Sequence, residues 1–178
     1  QTGIAIGAQS MKHMRRCQLE LGGKSALLVL RDADPVKAAE IAAQGIFTHA
    51  GQICMANSRI VVEREIEQAF LAALKTHCEN IQLGDLRDEN SRYGPLINRS
   101  ALEKVLAHIE SALASGATLL TGGEVEHGLT LQPTVVLEPA RDSTLWRDES
   151  FGPLASVVAV DDLEQAIAVA NDSDFGLS

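Results

Sequence analysis

Short apolar runs of strand length alternate along this chain with longer segments whose apolar residues return every three or four positions, and that rhythm restricts the fold more than any other feature. Residues 26–30, 59–63, 117–120, 131–137 and 154–160 read as strands. Helices are predicted over about 4–14, from Asp34-Pro35 to near Gly51, over 65–79, from a capping box at Ser100 and Glu103 to Gly116, and over 163–170. Asp34 is suited to accept orphan amide hydrogens, and Pro35 has its φ already set for a first helical turn. Gly22-Gly23, Tyr93-Gly94-Pro95 and Gly122-Gly123 punctuate the pattern as turns and loops. The result is an α/β domain with a sheet covered by helices. No internal repeat, low-complexity stretch or linker divides it.

A chain of 178 residues with 46% hydrophobic residues can bury one real core. Its net charge of −9 and pI near 5.0 argue against a nucleic-acid or acidic-membrane surface, because phosphate neutralisation needs clustered cations. Lys12, Arg15 and Arg16 form the only basic knot. No apolar run approaches the roughly 18 residues needed to span a bilayer, and no signal-peptide pattern opens the chain. Three cysteines at irregular positions, Cys17, Cys54 and Cys78, do not make a disulfide framework. These features point to a soluble, cytoplasmic protein. The five histidines lack metal-ligand spacing, so no metal site is expected.

Chemistry concentrates in two segments, Leu19-Glu20-Leu21-Gly22-Gly23-Lys24-Ser25 and Gly51-Gln52-Ile53-Cys54-Met55. A thiolate and a carboxylate are the pair needed to add to a carbonyl carbon and then to activate water against the resulting thioester. A turn at Cys54 would also offer its backbone N–H to an oxyanion. Cys17, in a strand-like run, and Cys78, on a helix, read as buried small apolar residues.

Taken together, Glu20-Leu-Gly-Gly-Lys-Ser25, Gly51-Gln-Ile-Cys54 and Glu149-Ser-Phe-Gly-Pro153 resemble the glutamate, cysteine and Glu-x-Phe-Gly-Pro motifs of the NAD(P)-dependent aldehyde dehydrogenases. The resemblance runs through almost the whole chain. It implies a mostly parallel sheet flanked by helices, with Cys54 as nucleophile and Glu20 as general base for deacylation. It places Glu149 on the nicotinamide ribose and Phe151 beside the nicotinamide ring. It further implies NAD or NADP as cofactor, with its binding elements largely missing from this chain and no dehydrogenase activity expected of the chain alone, an aldehyde as substrate and a homo-oligomer as the assembly. Lys24 and Gly22 are taken as supports of the turn after Glu20. Gly94-Pro95-Leu96-Ile97 and Pro133-Thr134-Val135 resemble scaffold loops. Ile53 and Met55 flank the thiol as apolar substrate-pocket residues, and this run looks most like the benzaldehyde, vanillin and salicylaldehyde members.

The resemblance also implies a domain truncated at both ends. Residues 1–19 correspond to the end of the cofactor domain and its connector, and residues 20–178 to a catalytic thiol domain incomplete at its C-terminus. Gly3 and Gly7 do not form a Gly-x-Gly-x-x-Gly cradle. Two alternatives stand beside a dehydrogenase part: a cofactor-independent thiol esterase, and a non-catalytic, self-associating fragment.

Overall fold

A computed structural model describes residues 1–177. Helix α1 (Thr2–Met11) leads through an extended segment to β1 (Ser25–Val29), α2 (Pro35–Phe47), β2 (Asn57–Glu63) and α3 (Arg64–Glu79). A long loop then reaches α4 (Arg99–Ala114), followed by β3 (Thr118–Thr121), β4 (Val125–His127), β5 (Thr130–Leu131) and β6 (Thr134–Leu137). Short α5 (Thr144–Arg147), β7 (Leu154–Val160) and α6 (Leu163–Asn171) complete it. The main sheet has the order β1-β2-β7-β6-β3. Its first four strands are parallel, and β3 is an antiparallel edge. Strands β4 and β5 form a separate antiparallel pair.

Alternation within the strands distributes side chains to two covered faces. On β2, Ile60 and Val62 join Val135, Ala155 and Val157 under α2 and α3, where Ala39, Ala42, Ile46, Phe47, Phe70 and Leu74 are buried. Val61 and Val158 face the other way, toward Trp146 and Ala166. Val136 and Leu154 meet Leu102, Val105 and Ile109 of α4 on that same side. Arg59 ties the second face together, donating to the carbonyls of Lys24, Val169, Ala170 and Asp172, with its guanidinium 5.3 Å from the Trp146 ring centre. These bonds satisfy the last carbonyls of α6, which the helix itself leaves open.

Several local expectations are corrected. Helix α1 stops at Met11, and Met14 takes a positive φ of 51°. Helix α2 ends at Phe47, short of Gly51, because the backbone turns left-handed after it. The Ser100–Glu103 box does not open α4: Asn98 is the cap, its side chain accepting from the Ala101 amide, which leaves Ser100 inside the helix. The single strand expected over 131–137 is two strands interrupted at Pro133, which has no amide hydrogen to give to a ladder. Cys17 is exposed and lies in no strand, whereas Cys78 is buried as expected, with its thiol pushed up to about 12 by burial. No helix among the described residues is long and apolar enough to cross a membrane.

Candidate active site

The thiol sits on a turn that the local sequence alone would not choose. After Phe47, His49 (φ 52°, ψ 34°) and Ala50 (φ 57°, ψ 32°) are both left-handed, and Gly51 follows at φ 67°. Each non-glycine residue in that region costs roughly 1–2 kcal/mol, so tertiary contacts must hold it there. Ala50 is fully buried. A Cβ on Gly51 would lie 2.0 Å from the Gly152 carbonyl oxygen, so this backbone approach requires glycine. The Gln52 amide donates to the His49 carbonyl at 3.2 Å, and the Gln52 side-chain oxygen accepts from the Ile97 amide at 2.9 Å. A second turn, closed by Ala56 N–H to the Ile53 carbonyl, carries Cys54 and Met55 at its centre. Cys54 is half-buried and Met55 exposed. Ile53 lines a narrow crevice with Gly23, Gly51, Glu149 and Phe151.

The carboxylate motif crosses this turn at its two glycines. A Cβ on Gly23 would stand 2.3 Å from the Cys54 carbonyl oxygen, and one on Gly22 would stand 2.8 Å from Glu149 Oε2. The Gly23 amide donates to Glu149 Oε1 at 3.0 Å. Gly23 therefore joins the thiol turn to the Glu149 loop. Glu20 lies three residues earlier, exposed, accepting from Gln18 Nε2 at 3.2 Å. It borders a cleft of about 580 Å³ with Gln1, Gly3, Leu21 and Phe175. No hydrogen bond or ion pair among the described residues joins Glu20 to Cys54. The structure thus brings Cys54, Glu149, Phe151 and Ile53 to one place and leaves Glu20 and Met55 at its edge.

The loop after α5 is fixed from beneath. Lys104 Nζ donates to the Glu149 carbonyl at 2.5 Å, while Lys24 Nζ and His108 Nδ1 each lie 3.3 Å from Ser150 Oγ. Lys24 is only 2% exposed, and burial, followed by the nearby Arg59 charge, lowers its amine to about 7. Burial, then Lys24 and Lys104, lowers His108 to about 4, so its imidazole is neutral at neutral pH. Phe151 adopts φ 56° and is 40% exposed. Lys104, His108 and Ser150 were not singled out from sequence. The only signal for His108 is its position three residues after Val105 on the buried face of α4.

A nicotinamide dinucleotide presents ribose hydroxyls and a flat ring to whatever holds it. Glu149 offers an acceptor-only carboxylate and Phe151 an open aromatic face, a pair that fits ribose hydroxyls and a flat ring. The residues present fit that end of the cofactor. No group of three metal-ligating side chains occurs among the described residues.

A half-buried cysteine on a turn that meets Gly23, whose amide binds the Glu149 carboxylate, beside a helix-covered and mostly parallel sheet, defines a thiol-bearing α/β domain. The aldehyde dehydrogenase family model matches residues 1–178, and the chain belongs to that family. It is 44% identical to a betaine aldehyde dehydrogenase of Cereibacter sphaeroides, over 99% of this chain and 37% of the relative. It is 42% identical to a vanillin dehydrogenase of Pseudomonas fluorescens, over 99% and 36% respectively. Among solved structures it resembles an Escherichia coli NADP-dependent enzyme at 34% identity and a TM-score of 0.95, covering 98% of this chain and 37% of that one. An NAD+ complex of a Bacillus cereus aldehyde dehydrogenase matches at 37% identity and a TM-score of 0.92, covering 98% and 36%. The chain therefore spans about 37% of the length of the curated relatives it matches.

Proposed function

We propose that this chain is the thiol-bearing part of an aldehyde dehydrogenase that converts an aldehyde to a carboxylic acid with NAD+ or NADP+. The observation that carries the reading is the Gly23 junction: one glycine lies against the Cys54 carbonyl while its amide binds the Glu149 carboxylate. In this reading residues 1–19 end the cofactor domain and residues 20–178 belong to the catalytic domain. The Cys54 thiolate adds to the aldehyde carbon, forming a C–S bond and a thiohemiacetal oxyanion that nearby backbone N–H groups stabilise. Glu149 and Phe151 would hold the ribose and ring of a bound nicotinamide cofactor, whose chemistry there would be to take up a hydride. The Cys54 thioester that remains is attacked by water whose proton passes to the Glu20 carboxylate, and the thiolate leaves. Glu20 is exposed, on a segment without regular secondary structure.

Ile53 at the crevice and Met55 beside it favour an apolar, aromatic aldehyde. A homo-oligomer and a reducing, cytoplasmic setting complete the reading; the three cysteines are free. One observation favours self-association of the isolated chain: Ile4 and Met14 are 79% and 91% exposed.

The test uses the purified chain with p-nitrophenyl acetate and, separately, an NAD+ titration. A burst of one nitrophenolate per chain is expected from Cys54 acylation. Cys54→Ala removes the burst, and Glu20→Gln keeps it while slowing deacylation. Wild-type turnover in either variant would refute the assigned roles, and absence of NAD+ binding would mark the cofactor site as incomplete in this chain.

A further inference from the structure

We infer that Lys24, Ser150 and His108 are positioning residues, a buried hydrogen-bonded chain that holds the Glu149–Phe151 loop against the Cys54 turn. Its bearing on catalysis rests on the reading above, but the chain itself is a matter of geometry. Ser150 lies between Glu149 and Phe151, and its hydroxyl is 3.3 Å from both Lys24 Nζ and His108 Nδ1. All three side chains are buried. A charged amine has only donors, and a hydroxyl has one donor with two acceptor sites. The arrangement that gives the Ser150 proton an acceptor runs in one direction: Lys24 donates to Ser150 Oγ, and the Ser150 hydroxyl donates to Nδ1 of a neutral His108.

Three elements meet at that hydroxyl. Lys24 immediately precedes β1 and follows Gly23, whose amide holds Glu149. His108 projects from α4, as does Lys104, which binds the Glu149 carbonyl. Burying an amine is costly: Arg59 and Lys104 oppose its charge, and Asp148 and Glu149 only partly offset them. An apolar side chain of similar length would fill the space without that cost. It would not supply a directed bond to Ser150. His108 is faced by Lys24, Lys104 and Asp148, and stays neutral across the range in which Lys24 titrates.

Amide hydrogen exchange at Gly23 and over residues 149–152, followed by NMR from pH 6 to 8.5 and corrected for intrinsic rates, tests the inference. The Ile60 and Val62 amides in β2 serve as internal references. In the wild-type chain Gly23 protection is expected to fall about fivefold as Lys24 loses its charge, since a neutral donor bonds more weakly and the local opening that exposes the Gly23 amide leaves Lys24 buried, so this local effect runs opposite to the global stability. Ser150→Ala should speed Gly23 exchange about tenfold at pH 6, leave the references unchanged and abolish the pH dependence. Ser150→Thr, which keeps the hydroxyl, should restore both. A flat wild-type profile, wild-type protection in Ser150→Ala, or a pH dependence that survives in that variant overturns the inference. The wild-type profile and Ser150→Thr decide the matter if Ser150→Ala does not fold. An intact exchange signature without a Cys54-dependent burst would defeat only the catalytic reading. The burst without the signature would defeat only this inference.

Discussion

Gly23→Ala is the sharpest single test of the site, because the wild-type φ there is not in the left-handed region and the added methyl brings only a collision. The new Cβ would stand 2.3 Å from the Cys54 carbonyl oxygen and 3.1 Å from that of Leu177. Restoring a contact of about 3.0–3.4 Å requires the two backbones to separate by roughly 0.7–1.1 Å, in an interior that resists such shifts. A displacement of that size along the 3.0 Å Gly23–Glu149 bond carries it beyond hydrogen-bonding distance. Losing a bond to a charged group costs about 1.5–3 kcal/mol, and overpacking about 1–3 kcal/mol. Partial exposure of Glu149 favours the lower halves, so the total should be about 2–4 kcal/mol. For a chain of this size that is a fall in Tm of roughly 4–16 °C. Urea unfolding followed by Trp146 fluorescence measures it, since that indole is buried. Iodoacetamide labelling should also reach Cys54 faster. Gly7→Ala is the control: nothing lies within 4 Å of its new Cβ, and removing a helical glycine should stabilise α1 by up to about 1 kcal/mol. A Gly23→Ala chain within about 0.5 kcal/mol of wild type, with unchanged labelling of Cys54, would show that the junction is not as close as described.

Lys24 also makes stability depend on pH. Its folded-state amine titrates at about 7 against 10.5 in the unfolded chain. Above 7 the unfolded state binds the extra proton, so stability rises with pH, by about 2 kcal/mol between pH 7 and 8.5. Urea midpoints should show that rise in wild type and a flattened profile in Lys24→Met; equal slopes would refute it. Above pH 9 the raised Cys78 thiol acts in the opposite sense, so the comparison belongs below that value. Asn98→Ala should cost α4 about 1 kcal/mol as a lost cap, while Ser100→Ala should be nearly neutral. Equal losses in thermal melts would restore the Ser100 box as the helix start.

The parts of the fold that sequence made legible are those whose stability is periodic and local. The β7 span and the Asp34-Pro35 start of α2 follow from apolar runs and capping chemistry, and both are observed. Helix α5 has four residues, too few to display a 3.6-residue period, and β4 is exposed along its length, so neither carries a burial signal. At the candidate site, Cys54 is nominated by motif chemistry and Glu149 by the family resemblance, but the link between them passes through Gly23, whose bond to Glu149 spans 126 positions in sequence. The left-handed His49 and Ala50 were illegible for the same reason. Histidine visits that region more often than most residues and alanine rarely, so nothing local selects the pair, and the close Gly51–Gly152 approach is a contact across the fold. Buried Lys24 and His108 complete the pattern. A lysine after two glycines reads as a turn residue and a histidine on a helix as ordinary, and it takes the sheet's topology to place both beneath Ser150. What was hidden at this site is therefore how its supports join, while its candidate reactive groups were visible. That division has a physical origin: a nucleophile is specified by its own atoms, but the position of its partners is specified by residues distant in the chain that have no reason to look unusual.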